Sequence, residues 1–166
     1  MRGEQVSLDL PDVPAPGDPV EIAGEGLPGK AYPIGVGVPH LVVFVERGLS
    51  DLPVGRLGPA LRRHPKLPEG ANVNFVEVTD GHSLAVRTFE RGVEGETLAC
   101  GSGVVASAIV AASIQRAAPP IACRTRSGAA FTVSFETQGP RCVHVALTGD
   151  AREIYSGELT EEAFLR

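Results

Sequence analysis

One thiol offers the clearest chemistry in this 166-residue chain: Cys100, in the stretch Glu90-Arg91-Gly92-Val93-Glu94-Gly95-Glu96-Thr97-Leu98-Ala99-Cys100-Gly101-Ser102-Gly103. An apolar segment, 104–114, follows at once and is interrupted by Ser107. That order predicts a loop delivering a cysteine to the first turn of a buried helix. There, unpaired backbone N–H groups and the positive end of the helix dipole can hold an anion, and they are expected to lower the thiol pKa. Gly101 and Gly103 leave the backbone open to approach, and Ser102 can cap the helix or donate its hydroxyl. Free cysteines are often inert apolar residues, but this setting favours a reactive one. Cys123 and Cys142 lie in alternating strand patterns and read as buried structural thiols.

Glu90 and Arg91 sit in the same loop. A strand-end arginine can hold a carboxylate bidentately, and a neighbouring glutamate can accept from an ammonium group. Together with Cys100 they are the groups needed to grip an α-amino acid beside a base. Asn72 and Asn74 follow Gly70-Ala71, where amides commonly satisfy turn backbone. His40 opens an apolar run after Gly37-Val38-Pro39, a setting more typical of a hydrogen-bonded structural histidine than of an acid or base. No metal-ligand pattern is visible, and the residues call for no cofactor.

Short strands must position these groups. Alternating or apolar runs place them at 6–10, 20–22, 31–36, 73–78, 83–90, 121–126, 130–136 and 142–147, with a further edge strand at 151–157. The nearly continuous run 41–45 suits a strand buried on both faces. Asp80-Gly81 and Gly139-Pro140 read as hairpin turns. Helical spacing marks 53–64 and, more strongly, 102–116. The second helix is apolar all round and therefore must be encased. The expected fold is α+β: one domain, 1–166, with a curved, mostly antiparallel sheet wrapped around one central apolar helix.

Composition narrows the function classes. With 43% hydrophobic residues the chain can enclose a core. A formal net charge of −5 argues against nucleic acid or an anionic membrane as partner. The apolar run is far shorter than the roughly 20 residues of a membrane span, and no signal-peptide pattern opens the chain. Three dispersed cysteines suggest neither a disulfide framework nor a zinc site, so a reducing, cytoplasmic setting is expected.

Three motifs in order resemble the carboxy-terminal half of the diaminopimelate epimerase family. Gly37-Val38-Pro39-His40-Leu41-Val42-Val43-Phe44 is similar to the family's Gly-Asn-Pro-His segment. Leu67-Pro68-Glu69-Gly70-Ala71-Asn72-Val73-Asn74-Phe75 is similar to its Asn-x-Asn-Phe strand start. Glu90-Arg91-Gly92 with Glu96-Thr97-Leu98-Ala99-Cys100-Gly101-Ser102-Gly103 resembles the signature around its second catalytic cysteine. The ending, 149–159, is also similar to the family's closing strand. The resemblance implies a cofactor-independent isomerase that inverts the α-carbon of LL-diaminopimelate to the meso form, in lysine and peptidoglycan precursor biosynthesis. It implies two pseudo-symmetric domains with the substrate between two helix starts and one cysteine from each domain facing the α-carbon. Cys100 would be one of these. Glu90, Arg91 and Asn72 would contact the distal end of the substrate, the backbone at Gly101 and Ser102 its α-carboxylate, and His40 would be an active-site neighbour.

Two departures stand out. Val38 replaces the asparagine of many members, removing an amide contact. The amino-terminal domain with its own cysteine has no counterpart in these residues. Inversion needs proton removal on one face and delivery on the other, and water is a poor substitute in a site that excludes solvent. The partners expected are thus a small amino-acid substrate and either the missing amino-terminal domain or a second copy of the chain. A self-sufficient homodimeric racemase and a non-catalytic module that keeps only the scaffold remain alternatives.

Overall fold

Helix α2 (Gly101–Ser113) has no polar face, and every residue from Gly103 to Ala111 is buried. Its one internal hydroxyl, Ser107, donates to the Gly103 carbonyl at 2.7 Å and so needs no outside partner. Removing such a helix from water takes an enclosing layer rather than a single flat one. In the computed structural model, which describes residues 4–23, 27 and 29–164, that layer is an eleven-stranded sheet.

The strands are β1 (Glu4–Asp9), β2 (Val13–Pro14), β3 (Val20–Glu21), β4 (Lys30–Val36), β5 (Val38–Phe44), β6 (Asn72–Asp80), β7 (Ser83–Glu90), β8 (Gly95–Thr97), β9 (Ile121–Thr125), β10 (Ala130–Gln138) and β11 (Arg141–Ala151). Their order is β1-β11-β10-β9-β7-β6-β5-β4-β3, with β2 added on β11 and β8 on β7. Only β5–β6 and β7–β9 run parallel. Helix α2 touches β4, β5, β6, β7, β9, β10 and β11, so the sheet curls around it, and β2 approaches β4 across a seam that does not close. The expected α+β domain, curved and mostly antiparallel around one apolar helix, is the fold observed.

Parallel neighbours require crossover connections. The β7–β9 crossover runs through β8 and α2 on the inner face. The β5–β6 crossover runs through α1 (Val54–Arg62) on the outer face, where Val54 and Leu61 pack with Leu41, Val43, Val73, Phe75 and Phe89 in a second core. Strand β5 therefore sends Val42 and Phe44 to α2 and Leu41 and Val43 to α1. That double burial is what its unbroken apolar run predicts.

Two short strands, β2 and β8, lie in stretches with no strand signal in the sequence. The edge strand expected at 151–157 does not form: β11 runs to Ala151, and residues 152–160 are exposed without regular structure. Both edges of β11 are already taken, by β10 on one side and by β1 on the other. None of the described helices is long and apolar enough to cross a membrane.

The α1 contact is tight. A Cβ on Gly58 would stand 2.3 Å from Cγ of Phe89, which is 2% exposed. Gly58→Ala is expected to destabilise the fold by about 1–3 kcal/mol through overpacking, outweighing the roughly 1 kcal/mol that alanine gains in helix propensity. A urea unfolding midpoint at or above that of the parent chain would contradict this packing.

Candidate active site

The β7–β9 crossover that carries α2 also assembles the chemistry. Cys100 occupies the N-cap of α2 in extended conformation (φ −134°, ψ 108°). The first intrahelical bond runs from the Val104 N–H to the Cys100 carbonyl at 2.9 Å. The N–H groups of Gly101 and Ser102 therefore have no intrahelical partner at the helix start, a ready anion site, while the Gly103 N–H faces the Cys100 thiol. The Cys100 Sγ lies 3.6 Å from the Ser102 Oγ. The loop before it is tethered where the Ser127 N–H donates to the Leu98 carbonyl at 3.0 Å.

Glu90 ends β7 beside this thiol. Its Oε1 accepts the Thr97 hydroxyl at 2.6 Å, which fixes the carboxylate. Strand β8 makes that bond possible by folding back on β7, pairing Gly95 with Glu90 and Thr97 with Thr88. Arg91 is held at two points: its N–H donates to the Asn72 Oδ1 at 2.8 Å, and its Nη1 to the Glu69 carbonyl at 2.7 Å. The structure thus brings Glu90 and Ser102 to Cys100 at the start of α2, while Arg91 and Asn72 bond to each other and the Arg91 guanidinium is turned to the Glu69 carbonyl.

His40 lies beneath them, fully buried in β5. The Asn74 Nδ2 donates to its Nδ1 at 3.1 Å, and the Asn74 Oδ1 accepts the Thr88 hydroxyl at 3.0 Å. This orientation of the amide puts the histidine proton on Nε2, which has no hydrogen-bond partner among the described residues. Asn74 also backs the helix: its Oδ1 would lie 2.3 Å from a Cβ on Gly103, so only glycine fits there. Thr97 and Thr88 were not singled out in the sequence, and Asn74 was weighed there only as an amide satisfying turn backbone. Their roles depend on cross-strand pairing, and only the Asn-x-Asn spacing of Asn72 and Asn74 hints at one face of a strand.

The thiol is tuned opposite to the expectation from the helix start alone. Burial pushes the Cys100 pKa above its ordinary value. The Ser102 hydroxyl and the Gly103 N–H pull it down, and Glu90 raises it further. Desolvation of the charged form outweighs the helix N–H groups here. Cys123 is pushed up to about 12 by burial, in keeping with an inert core thiol. Burial lowers the His40 pKa from 6.5 to about 4, opposed in part by the Val36 backbone and assisted by the charge of Arg91. Among the described residues no cluster of His, Cys, Asp and Glu is placed to hold a metal ion.

A cavity of about 440 Å³ opens beside Ser102 at the seam of the sheet, lined in part by Leu10, Val13, Val36 and Val38. The larger one, of about 510 Å³ between Leu49 and Arg126, lies away from the thiol.

The sequence model of the family described as diaminopimelate epimerase matches residues 32–153, which include every group gathered at this helix start. The chain belongs to the diaminopimelate epimerase family. It is 42% identical over 133 residues to the diaminopimelate epimerase of Aquifex aeolicus, covering 78% of this chain and 46% of that protein. It is 36% identical to the diaminopimelate epimerase of Hydrogenobaculum sp., covering 99% of this chain and 58% of that one. The chain thus spans about half the length of the curated relatives it matches. Among solved structures, a hydroxyproline epimerase from Agrobacterium vitis with bound trans-4-hydroxy-L-proline shares the fold, with a TM-score of 0.53 at 20% identity over 88% of this chain and 50% of that one.

Two measurements probe the site's electrostatics. The rate of Cys100 alkylation by iodoacetamide, followed against pH by peptide mass spectrometry, should report an apparent pKa above the roughly 8.5 of a free cysteine. Glu90→Gln should lower that pKa and speed alkylation at pH 7.5; an unchanged profile would remove Glu90 from the thiol's surroundings. For His40, the folded pKa lies below the unfolded one, so the unfolded state binds more protons between the two values. Its contribution is fully present above pH 6.5 and is lost as pH falls toward 4. Unfolding free energy should drop by about 2 kcal/mol more from pH 7 to pH 5 in the parent than in His40→Gln. Equal drops would show that the ring titrates normally.

Proposed function

We propose that this chain is the half of a diaminopimelate epimerase that contributes one of two proton-transferring thiols, Cys100. What carries the reading is the placement of Cys100 at the open start of a buried helix, with the Glu90 carboxylate fixed beside it. The substrate's α-carboxylate lies on the Gly101 and Ser102 N–H groups. Those dipoles also stabilise the negative charge that develops when the α-proton leaves. Asn72, Glu90 and Arg91 hold the distal amino-acid end. The reaction is inversion of LL-diaminopimelate to the meso form, and it requires no cofactor.

In this reading Cys100 starts as the proton donor, in keeping with the burial that raises its pKa, and the opposing thiol, on a half outside this chain, removes the α-proton. Binding of a substrate ammonium near Glu90 offsets the carboxylate's charge and eases formation of the thiolate for the reverse direction. Neither thiol alone can act on both faces of one carbon. The reading therefore gives this chain half of the acid–base pair.

A fusion in which this chain replaces the matched part of the Aquifex aeolicus relative provides the test. With LL-diaminopimelate in deuterated water, the folded fusion should exchange the α-proton, monitored by proton NMR. Cys100→Ala should slow exchange at least about 100-fold, the usual scale for losing a general acid or base. A folded fusion no faster than its Cys100→Ala variant would overturn the proposal. Exchange by this chain without any fusion would instead mean that two copies supply both thiols.

A further inference from the structure

Between β8 and the body of the sheet lies an ion cluster that the site chemistry does not use. Arg87 of β7 grips Glu96 of β8 with two parallel bonds, Nε to Oε1 at 2.7 Å and Nη2 to Oε2 at 2.9 Å. Arg126, just past β9, also donates to Oε2. The side chains of Glu96 and Arg87 are only 10% and 14% exposed. Exposed ion pairs contribute little, whereas a carboxylate this secluded is costly unless its oxygens are matched. Here both oxygens are matched, and the two-pronged grip fixes orientation as well as charge. Arg87 is itself anchored: its Nη1 is directed at the carbonyls of Leu49, Ser50 and Leu52, at 2.6, 2.9 and 2.9 Å.

The cluster sits back to back with the site. Side chains alternate along a strand, and in β8 Glu96 lies opposite Phe89 while Thr97 lies opposite Thr88. Glu96 therefore turns to the outer face with Arg87, and Thr97 turns to the face where its hydroxyl donates to Glu90. Strand β8 has three residues and pairs with β7 alone, and so short a strand has little hold of its own. Two further ties come from one neighbouring turn: Arg126 holds Glu96, and the Ser127 N–H holds the Leu98 carbonyl at 3.0 Å. These ties straddle Thr97, and Cys100 follows soon after. A shift of Glu96 thus moves Thr97, the Glu90 carboxylate it fixes and the approach to the thiol.

We infer that Glu96 is a positioning residue for the Cys100–Glu90 pair, with Arg87 and Arg126 as the groups that hold it. This rests on the reading of Cys100 and Glu90 as groups of the reaction site. Glu96 itself touches no substrate. It sets where β8 lies, and β8 sets how the carboxylate and the thiol face each other and how much water reaches them. A neutral side chain at this position loosens the strand, water reaches Cys100, and the burial that disfavours its thiolate is relieved.

Alkylation of the full chain by iodoacetamide, followed against pH for each cysteine separately, tests this. Glu96→Gln should shift the Cys100 profile to lower pH and speed its alkylation at pH 7.5 at least about threefold. Arg126→Gln, which leaves Arg87 in place, should shift it the same way by less. Cys123 is fully buried and gauges folding, so it should stay unlabelled in both variants. Glu46→Gln, which breaks the exposed pair with Arg116 at 2.8 Å, should leave Cys100 at the parent rate. A parent-like Cys100 profile in Glu96→Gln, with Cys123 protected, overturns the inference. Where Glu96→Gln exposes Cys123, Arg126→Gln decides by the same rule. Exposure of Cys123 in both makes the cluster a support of the fold alone and also overturns it. Failure of the epimerase reading looks different: the Cys100 profile shifts as expected, yet the fusion exchanges no α-proton.

Discussion

A helix without a polar face has to be enclosed on all sides, and the architecture follows from that need. Helix α2 cannot lie on a flat sheet without exposing valine and isoleucine, so the strands curl until seven of them touch it. A curled sheet around a helix has two ends. At the amino end of α2 the free N–H groups need polar neighbours, and there the crossover brings Glu90, Thr97 and Cys100. The helix is apolar because it is enclosed, and its polar neighbours collect at its start because that is where the enclosure opens.

The polar groups beneath the site are few and nearly all paired. Thr88, Asn74 and His40 form one hydrogen-bonded chain across β7, β6 and β5, and its middle member, Asn74, abuts Gly103. Such a chain is costly unless satisfied, and satisfied it fixes a unique register. Here the register it fixes is that of the α2 start against the strands, since a slip of one residue would put a Cβ against Asn74. Burial lowers the His40 pKa to about 4, so at neutral pH its part is to hold geometry rather than to carry charge.

Much of this was legible in the sequence wherever a pattern was long. The apolar run of α2, the unbroken run of β5, and the turn pairs at Asp80-Gly81 and Gly139-Pro140 each implied their structure directly. The motif around Cys100 likewise implied a cysteine at a helix start, which is where it lies. Strands β2 and β8 were not legible, because two or three residues carry no period and owe their conformation to a partner strand. The segment 151–157 looked like a strand locally, but β11 had no free edge to give it. Thiol tuning was misjudged because the helix start is a local feature, whereas the burial that dominates it comes from the surrounding sheet.

Pairing of the first strand with the last has a kinetic consequence. Residues 4–9 find their places only against residues 146–151, across almost the whole chain. Contacts of that sequence separation close the longest loop in the molecule and form slowly. The hairpins β4–β5, β6–β7 and β10–β11 and both helices can assemble earlier from local contacts. During folding, the sheet edge beside the thiol therefore stays open until β11 is in place, and this rim of the fold forms after the helix it flanks.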